Sequence, residues 1–230
     1  MKKLLLWLMS TKLYSWAMTH LVWRLRMTNM YTTFTGDLYH AGYAKLSPGC
    51  FILSVDYKKA ANLVIDGKFS HAAFCVSKGV KYMLEPIGGH LQPHTSHPAE
   101  IVEQVHTGFH RTWFFDMCKE ADRVAIFTCL DWDDDHKKRM IDFANRFEGS
   151  GYDIHFQLGI AALYCSELVY QADKLAGGKL SADLTDLAGL GRLYISPDGL
   201  ALAANAKCLW DSAGVLTGLT GPQIEARKLL

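Results

Sequence analysis

The patterning of the chain predicts an α+β domain in which an antiparallel sheet packs against helices. Three observations carry this expectation. Short apolar runs bounded by Gly, Pro and Ser occupy residues 47–85 and 123–129, as strands do. Helical periodicity takes over near 135–147 and again near 160–176. The 230 residues, 50% of them hydrophobic and 20% charged, are enough to bury one full core.

Taken in order, the elements begin with a stretch of different character. Residues 1–27 contain Lys2, Lys3, Lys12, Arg24 and Arg26 but no acid, while Leu13, Trp16, Ala17, Leu21 and Leu25 recur at helical spacing. This predicts a basic amphipathic helix, with residues 1–35 as an arm ahead of a domain at 36–230. Such a helix docks to an anionic membrane surface or a protein assembly, or packs on its own domain. Ser47-Pro48-Gly49 then turns the chain into a buried strand at Cys50–Val55. His71–Val76 and Tyr82–Glu85 flank Ser77–Val80 and are expected to pair as a hairpin. Residues 86–112, rich in Pro, Gly and His, read as a long excursion.

Arg123–Cys129 is a further strand, and Asp133–Asp135 cap a helix that ends at Gly149 and Gly151. A calcium loop through Asp131, Asp133 and Asp135 is disfavoured, because His136 stands where such a loop needs Gly and Asp142 where it needs Glu. The helix near 160–176 stops at Gly177-Gly178, and the tail from 194 contains short helical stretches.

Bulk properties exclude several classes. A net charge of +1 offers no concentrated basic surface for nucleic acid. The six cysteines form no CxxC pair, so neither a zinc site nor a small disulfide scaffold is signalled. The five histidines His90, His94, His97, His106 and His110 match no metal-binding spacing and read as a solvated loop, placed to serve as a lid over a cleft. No metal or cofactor is predicted. Leu4–Met9 is too short and lacks the cleavage site of a signal peptide, and Leu13–Trp23 is too short to cross a bilayer. The expected location is therefore cytoplasmic or membrane-peripheral.

The chemistry centres on Cys165, in Ala162-Leu163-Tyr164-Cys165-Ser166-Glu167-Leu168-Val169-Tyr170. Composition alone favours a small buried hydrophobe. Its place near a helix start argues otherwise, because the positive end of the helix dipole favours thiolate. A nucleophilic cysteine also needs an imidazole as base and a third group to orient that imidazole. His71 and Glu85, on the two strands of the expected hairpin, offer both. They share a face only if like-parity residues lie opposite, which requires a three-residue loop or a bulge near Gly79.

In this order the residues resemble the circularly permuted NlpC-type branch of papain-like enzymes, in particular the YaeF/YiiX group of amidases and peptidases. The resemblance rests on Ser47-Pro48-Gly49, Ser70-His71, Glu85-Pro86, Tyr152-Asp153 and Cys165-Ser166-Glu167-Leu168-Val169, and covers about 47–200. Cys50 departs from the family's usual Asp after Gly49, and Pro86 from a small residue after Glu85. What the resemblance implies is a permuted papain-like fold and a cysteine hydrolase acting on a peptide or acyl-amide, cell-wall peptides included, through an acyl-thioester. It makes Cys165 the nucleophile, His71 the base and Glu85 the orienting acid, with Tyr152 or Tyr164 assisting backbone N–H groups at the oxyanion. The competing expectation is a non-enzymatic structural or docking protein that keeps the fold.

Overall fold

The computed structural model describes residues 11, 12, 16, 34–57, 67–79, 82–87, 90–95, 99–186 and 192–230, with strand backbone alone over 82–87 and 90–95. The expected helix over 1–27 lies outside the described residues. Among those described, no helix is long and apolar enough to cross a membrane.

The centre is a six-stranded antiparallel sheet. Its strands are β1 (Phe51–Val55), β2 (His71–Ser77), β5 (Glu100–Val105), β6 (Gly108–Trp113), β7 (Arg123–Cys129) and β12 (Ala206–Asp211), in the order β12-β7-β1-β2-β5-β6. Alternation along each strand sends neighbouring side chains to opposite faces. Phe51, Leu53, Ala72, Phe74, Val102, Ala125 and Phe127 fall on one face, beneath α3 (Asp134–Asn145) and α4 (Cys165–Ala176). Ile52, Ala73, Cys75, Ile101, Val124 and Ile126 fall on the other, beneath α1 (Gly36–Lys45) and α2 (Phe114–Glu120). With both faces covered, every residue of β1 is buried, which is why that run carries so little polar alternation.

The expected strands at 50–55 and 123–129 and the helix capped by Asp133 all form; the Asp133 carboxylate accepts from the His136 N–H at 2.7 Å. Asp133 thus caps the helix, as its position predicts. Two expectations are corrected. The 71–85 hairpin does not form: β2 lies between β1 and β5, while β3 (Tyr82–Ile87) pairs with β4 (His90–Thr95) in a separate two-stranded ribbon. The segment 86–112 is not a loop, since it contains β4, β5 and β6, the last two closed by a tight turn at His106-Thr107. Gly108 begins β6 at φ +109°, and a side chain there would meet the Ser150 carbonyl at 2.9 Å. The tail holds the expected short helices and a strand besides. Between α5 (Pro197–Leu202) and α6 (Gly221–Ala226) it supplies β12, an edge strand against β7.

Asp211 ends β12 and ties its edge of the sheet together. Arg123 donates to both carboxylate oxygens at 2.9 Å, and the amides of Ala213, Val215 and Leu216 donate to the same carboxylate. Asp173, near the end of α4, plays the matching part there. It accepts from Trp132 Nε1 and shares a 2.8 Å hydrogen bond with His136 Nε2, and it also accepts the backbone N–H groups of Lys179 and Leu180.

Candidate active site

Cys165 is the first residue of α4, after Tyr164, whose extended backbone starts the helix without a side-chain cap. What holds the helix start is the chain around Ile195. The Tyr164 hydroxyl accepts the Ile195 N–H at 2.8 Å and the Ser166 hydroxyl donates to the Ile195 carbonyl at 2.7 Å, one bond on each side of Cys165. Glu167, fully buried, accepts the Gly159 N–H at 2.6 Å, while Gln171 donates to the Gly159 carbonyl at 2.9 Å. Burial pushes the Glu167 carboxyl up to about 7 despite those donors. Ser166 and Glu167 therefore anchor the turn that presents the thiol.

His71 opens β2 beside that turn. The register sets Ala73 opposite Glu103, so His71, two residues earlier, lies diagonally across from Glu103 on the same face. Their side chains meet, with His71 Nε2 and Glu103 Oε2 2.5 Å apart. Nε2 being engaged there, Nδ1 is the nitrogen left for the hydrogen bond between His71 and Cys165. The backbone amides of Ala72 and Ser166 also favour the thiolate form of Cys165.

These contacts set the protonation. Burial works against a charge on His71, but the hydrogen bonds to Cys165 and Glu103 outweigh it and hold the imidazole pKa above its ordinary value. Burial likewise works against a thiolate, and is outweighed by the hydrogen bond and charge of His71 with help from the Ala72 and Ser166 amides, so the Cys165 pKa lies below that of an ordinary thiol. Both shifts favour a thiolate beside an imidazolium. Alkylation of Cys165 by iodoacetamide, followed at its own peptide by mass spectrometry, should accordingly stay fast well below pH 8.5, the ordinary thiol value of about 8.5. In His71→Ala the inflection should rise to that value or beyond. Superimposable pH profiles for the two proteins would mean that His71 does not lower the thiol pKa.

Not every expected residue reaches this place. The carboxylate bonded to His71 is Glu103, which the sequence reading did not single out; Glu85 stands on β3, in a ribbon sharing no ladder with β2. The Tyr164 hydroxyl is committed to Ile195 and its ring is buried against Phe156 and Tyr194, so it faces the core rather than the thiol. Tyr152 does reach the site. It pairs with Leu163 in the short parallel ladder of β8 (Gly151–Tyr152) and β9 (Ala162–Leu163), and the following Asp153 accepts the amides of His155 and Gln157 to hold the bend. Cys165, His71, Glu103 and Tyr152 all line one cavity of about 370 Å³, with His106 and His110 on its β5–β6 side. A signal for Glu103 did exist: Glu100–Val105 followed by His106-Thr107-Gly108 reads as a strand and tight turn once the segment is not taken for a loop.

A six-stranded antiparallel sheet with helices on both faces, and a cysteine at a helix start against a histidine strand that precedes it in the chain, is papain-like architecture in permuted order. The chain belongs to the permuted papain-like amidase family, YaeF/YiiX, C92, whose sequence profile matches residues 45–215. Among solved structures it is similar to the crystal structure of yiiX from Escherichia coli O157:H7, described as a metalloprotein. The likeness covers 72% of this chain and 97% of that one at 15% identity and a TM-score of 0.56, which speaks to the fold. No curated protein sequence matches the chain. Among the described residues, no group of three His, Cys, Asp or Glu side chains converges as a metal's ligands would.

Proposed function

We propose that the protein is a cysteine-dependent amide or peptide hydrolase that works through an acyl-thioester on Cys165. The observation that carries this reading is the hydrogen-bonded chain Cys165–His71–Glu103 opening into a cavity. In the first half-reaction the Cys165 thiolate adds to the substrate carbonyl carbon. The oxyanion is met by backbone N–H at the start of α4, with the Tyr152 hydroxyl beside it. The C–N bond then breaks as the His71 imidazolium passes its proton to the leaving nitrogen, and the acyl group remains on sulfur. In the second, neutral His71 takes a proton from water as the water oxygen adds to the thioester carbon. The C–S bond breaks, the acid leaves, and thiolate and imidazolium are restored. Glu103 touches only the imidazole, fixing its ring and stabilising its charged form.

Intact-mass measurement after mixing with a panel of N-acyl amides and peptides tests this directly. An acyl adduct on Cys165 that decays to free acid is the expected result, absent in Cys165→Ala. A folded protein that forms no adduct and releases no acid across the panel would favour the docking-protein alternative.

A further inference from the structure

The segment from Ile195 to Asp198 reaches the supports of both the thiol and the imidazole. At one end Ile195 holds the start of α4 through Tyr164 and Ser166, on either side of Cys165. At the other end Asp198 holds the chain that leads into the histidine strand. Its carboxylate accepts the Lys68 N–H at 2.8 Å on one oxygen and the Phe69 N–H at 2.9 Å on the other, just ahead of His71. Gly67 lets the chain lie close against that carboxylate: it sits at φ +139°, and a side chain there would collide with the Asp198 oxygen.

The tie matters because His71 stands where the ladders run out. Ser54 opposite His71 is the last pair between β1 and β2, and on the other side the pairing with β5 already stops at Ala73 opposite Glu103. Strand ends open easily when little holds them. Ahead of His71 the Ser70 N–H donates to the Ser54 carbonyl at 3.1 Å, and the two bonds to Asp198 come next. The anchoring segment is itself well seated. Ile195, Ser196 and Pro197 are buried, and the Ser196 hydroxyl caps α5 by accepting the Gly199 N–H at 2.9 Å.

We infer that Asp198 is a positioning residue, which ties the entry of the His71 strand to the same segment that seats Cys165 and so sets the spacing of thiol and imidazole. This rests on the hydrolase reading above and adds to it a residue outside the lining of the cavity. Asp198 acts through the backbone of Lys68 and Phe69, and a displacement of about 1 Å is enough to matter to a reacting pair.

The pH inflection of Cys165 alkylation by iodoacetamide reads that spacing without a substrate, because His71 is what makes the thiol acidic. Asp198→Ala should raise the inflection by about one unit, which is a tenfold smaller thiolate fraction at a pH below both inflections. Asp198→Asn keeps one acceptor oxygen and should fall between that variant and the parent. Gly67→Ala pushes on the carboxylate from the other side and should shift the inflection in the same direction, so the test stands even if Asp198→Ala does not fold. Asp133→Ala is the control, since it removes another carboxylate that accepts a backbone N–H, at the start of α3. Its inflection should be that of the parent. Parent-like inflections in the Asp198 and Gly67 variants, with His71→Ala shifted, would overturn the positioning role and leave the hydrolase reading standing. An equal shift in Asp133→Ala would overturn it too, as the mark of a general loosening of the fold. A parent thiol with an ordinary inflection that His71→Ala does not move would remove the reading on which the inference rests.

Discussion

Cys165→Ser is expected to lower hydrolysis of any substrate that acylates the protein by on the order of 10⁴-fold or more, with little change in stability. The substitution keeps size and place, but a hydroxyl in the same site is not ionised by His71, so the first bond to carbon is not made. His71→Ala should do comparable damage, because the thiol then loses both its base and its counter-charge. Glu103→Gln should cost less, since an amide still holds the ring but carries no charge to stabilise imidazolium. Glu85→Gln belongs in the same series, because it separates the two carboxylates. If that variant loses activity while Glu103→Gln does not, the orienting acid is Glu85. If the Cys165 and His71 variants simply unfold, as judged by circular dichroism, the assignment of the pair would have to be withdrawn.

The largest expected effect on stability lies far from the cavity. Asp211→Ala should cost about 3–5 kcal/mol in urea denaturation, because it strands the half-buried Arg123 guanidinium without its partner and leaves three amides unpaired. Burial works against the Asp211 carboxylate, yet the Arg123 hydrogen bonds and charge prevail and hold its pKa below the usual carboxylate value. A group depressed in the folded state stabilises fully above its unfolded pKa and ceases to do so as pH falls through the folded value. The parent protein should therefore lose stability towards acid more steeply than the variant. A difference below about 1 kcal/mol at neutral pH, within the range of an exposed pair, would show that the bridge contributes no more than surface contacts do.

How much of this was legible in the chain depended on whether the information was local. The strands at 51–55 and 123–129 and the Asp133 cap are local, and so is the cysteine at the start of an amphipathic helix. All were readable from spacing. Pairing is not local. His71–Val76 and Tyr82–Glu85 are close in sequence and look like a hairpin, but β2 is a central strand buried on both faces and takes its partners from β1 and β5 instead. A hairpin at 71–85 places the nearest acid on its second strand, at Glu85. Glu103 was hidden for the same reason, within a stretch whose prolines and histidines imitate a loop. Tyr164 was misjudged because adjacency to the cysteine says nothing about direction; its ring turns inward and its oxygen is used by Ile195. In β12, Ala206–Asp211 is a short edge strand with one register shift, too brief for its alternation to stand out in the tail.

The two hydrogen bonds that Ile195 makes on either side of Cys165 carry a consequence for the order in which the protein comes into being during synthesis. The histidine strand leaves the ribosome first, its carboxylate next, and the thiol much later, so the imidazole waits on a chain that does not yet hold the cysteine. Even then Cys165 is not seated until the polypeptide has grown past Ile195 and that segment has folded back against Tyr164 and Ser166. A nascent chain stalled anywhere before this point holds an unactivated thiol. On the proposed mechanism, activity is thus deferred until the chain has grown past Ile195.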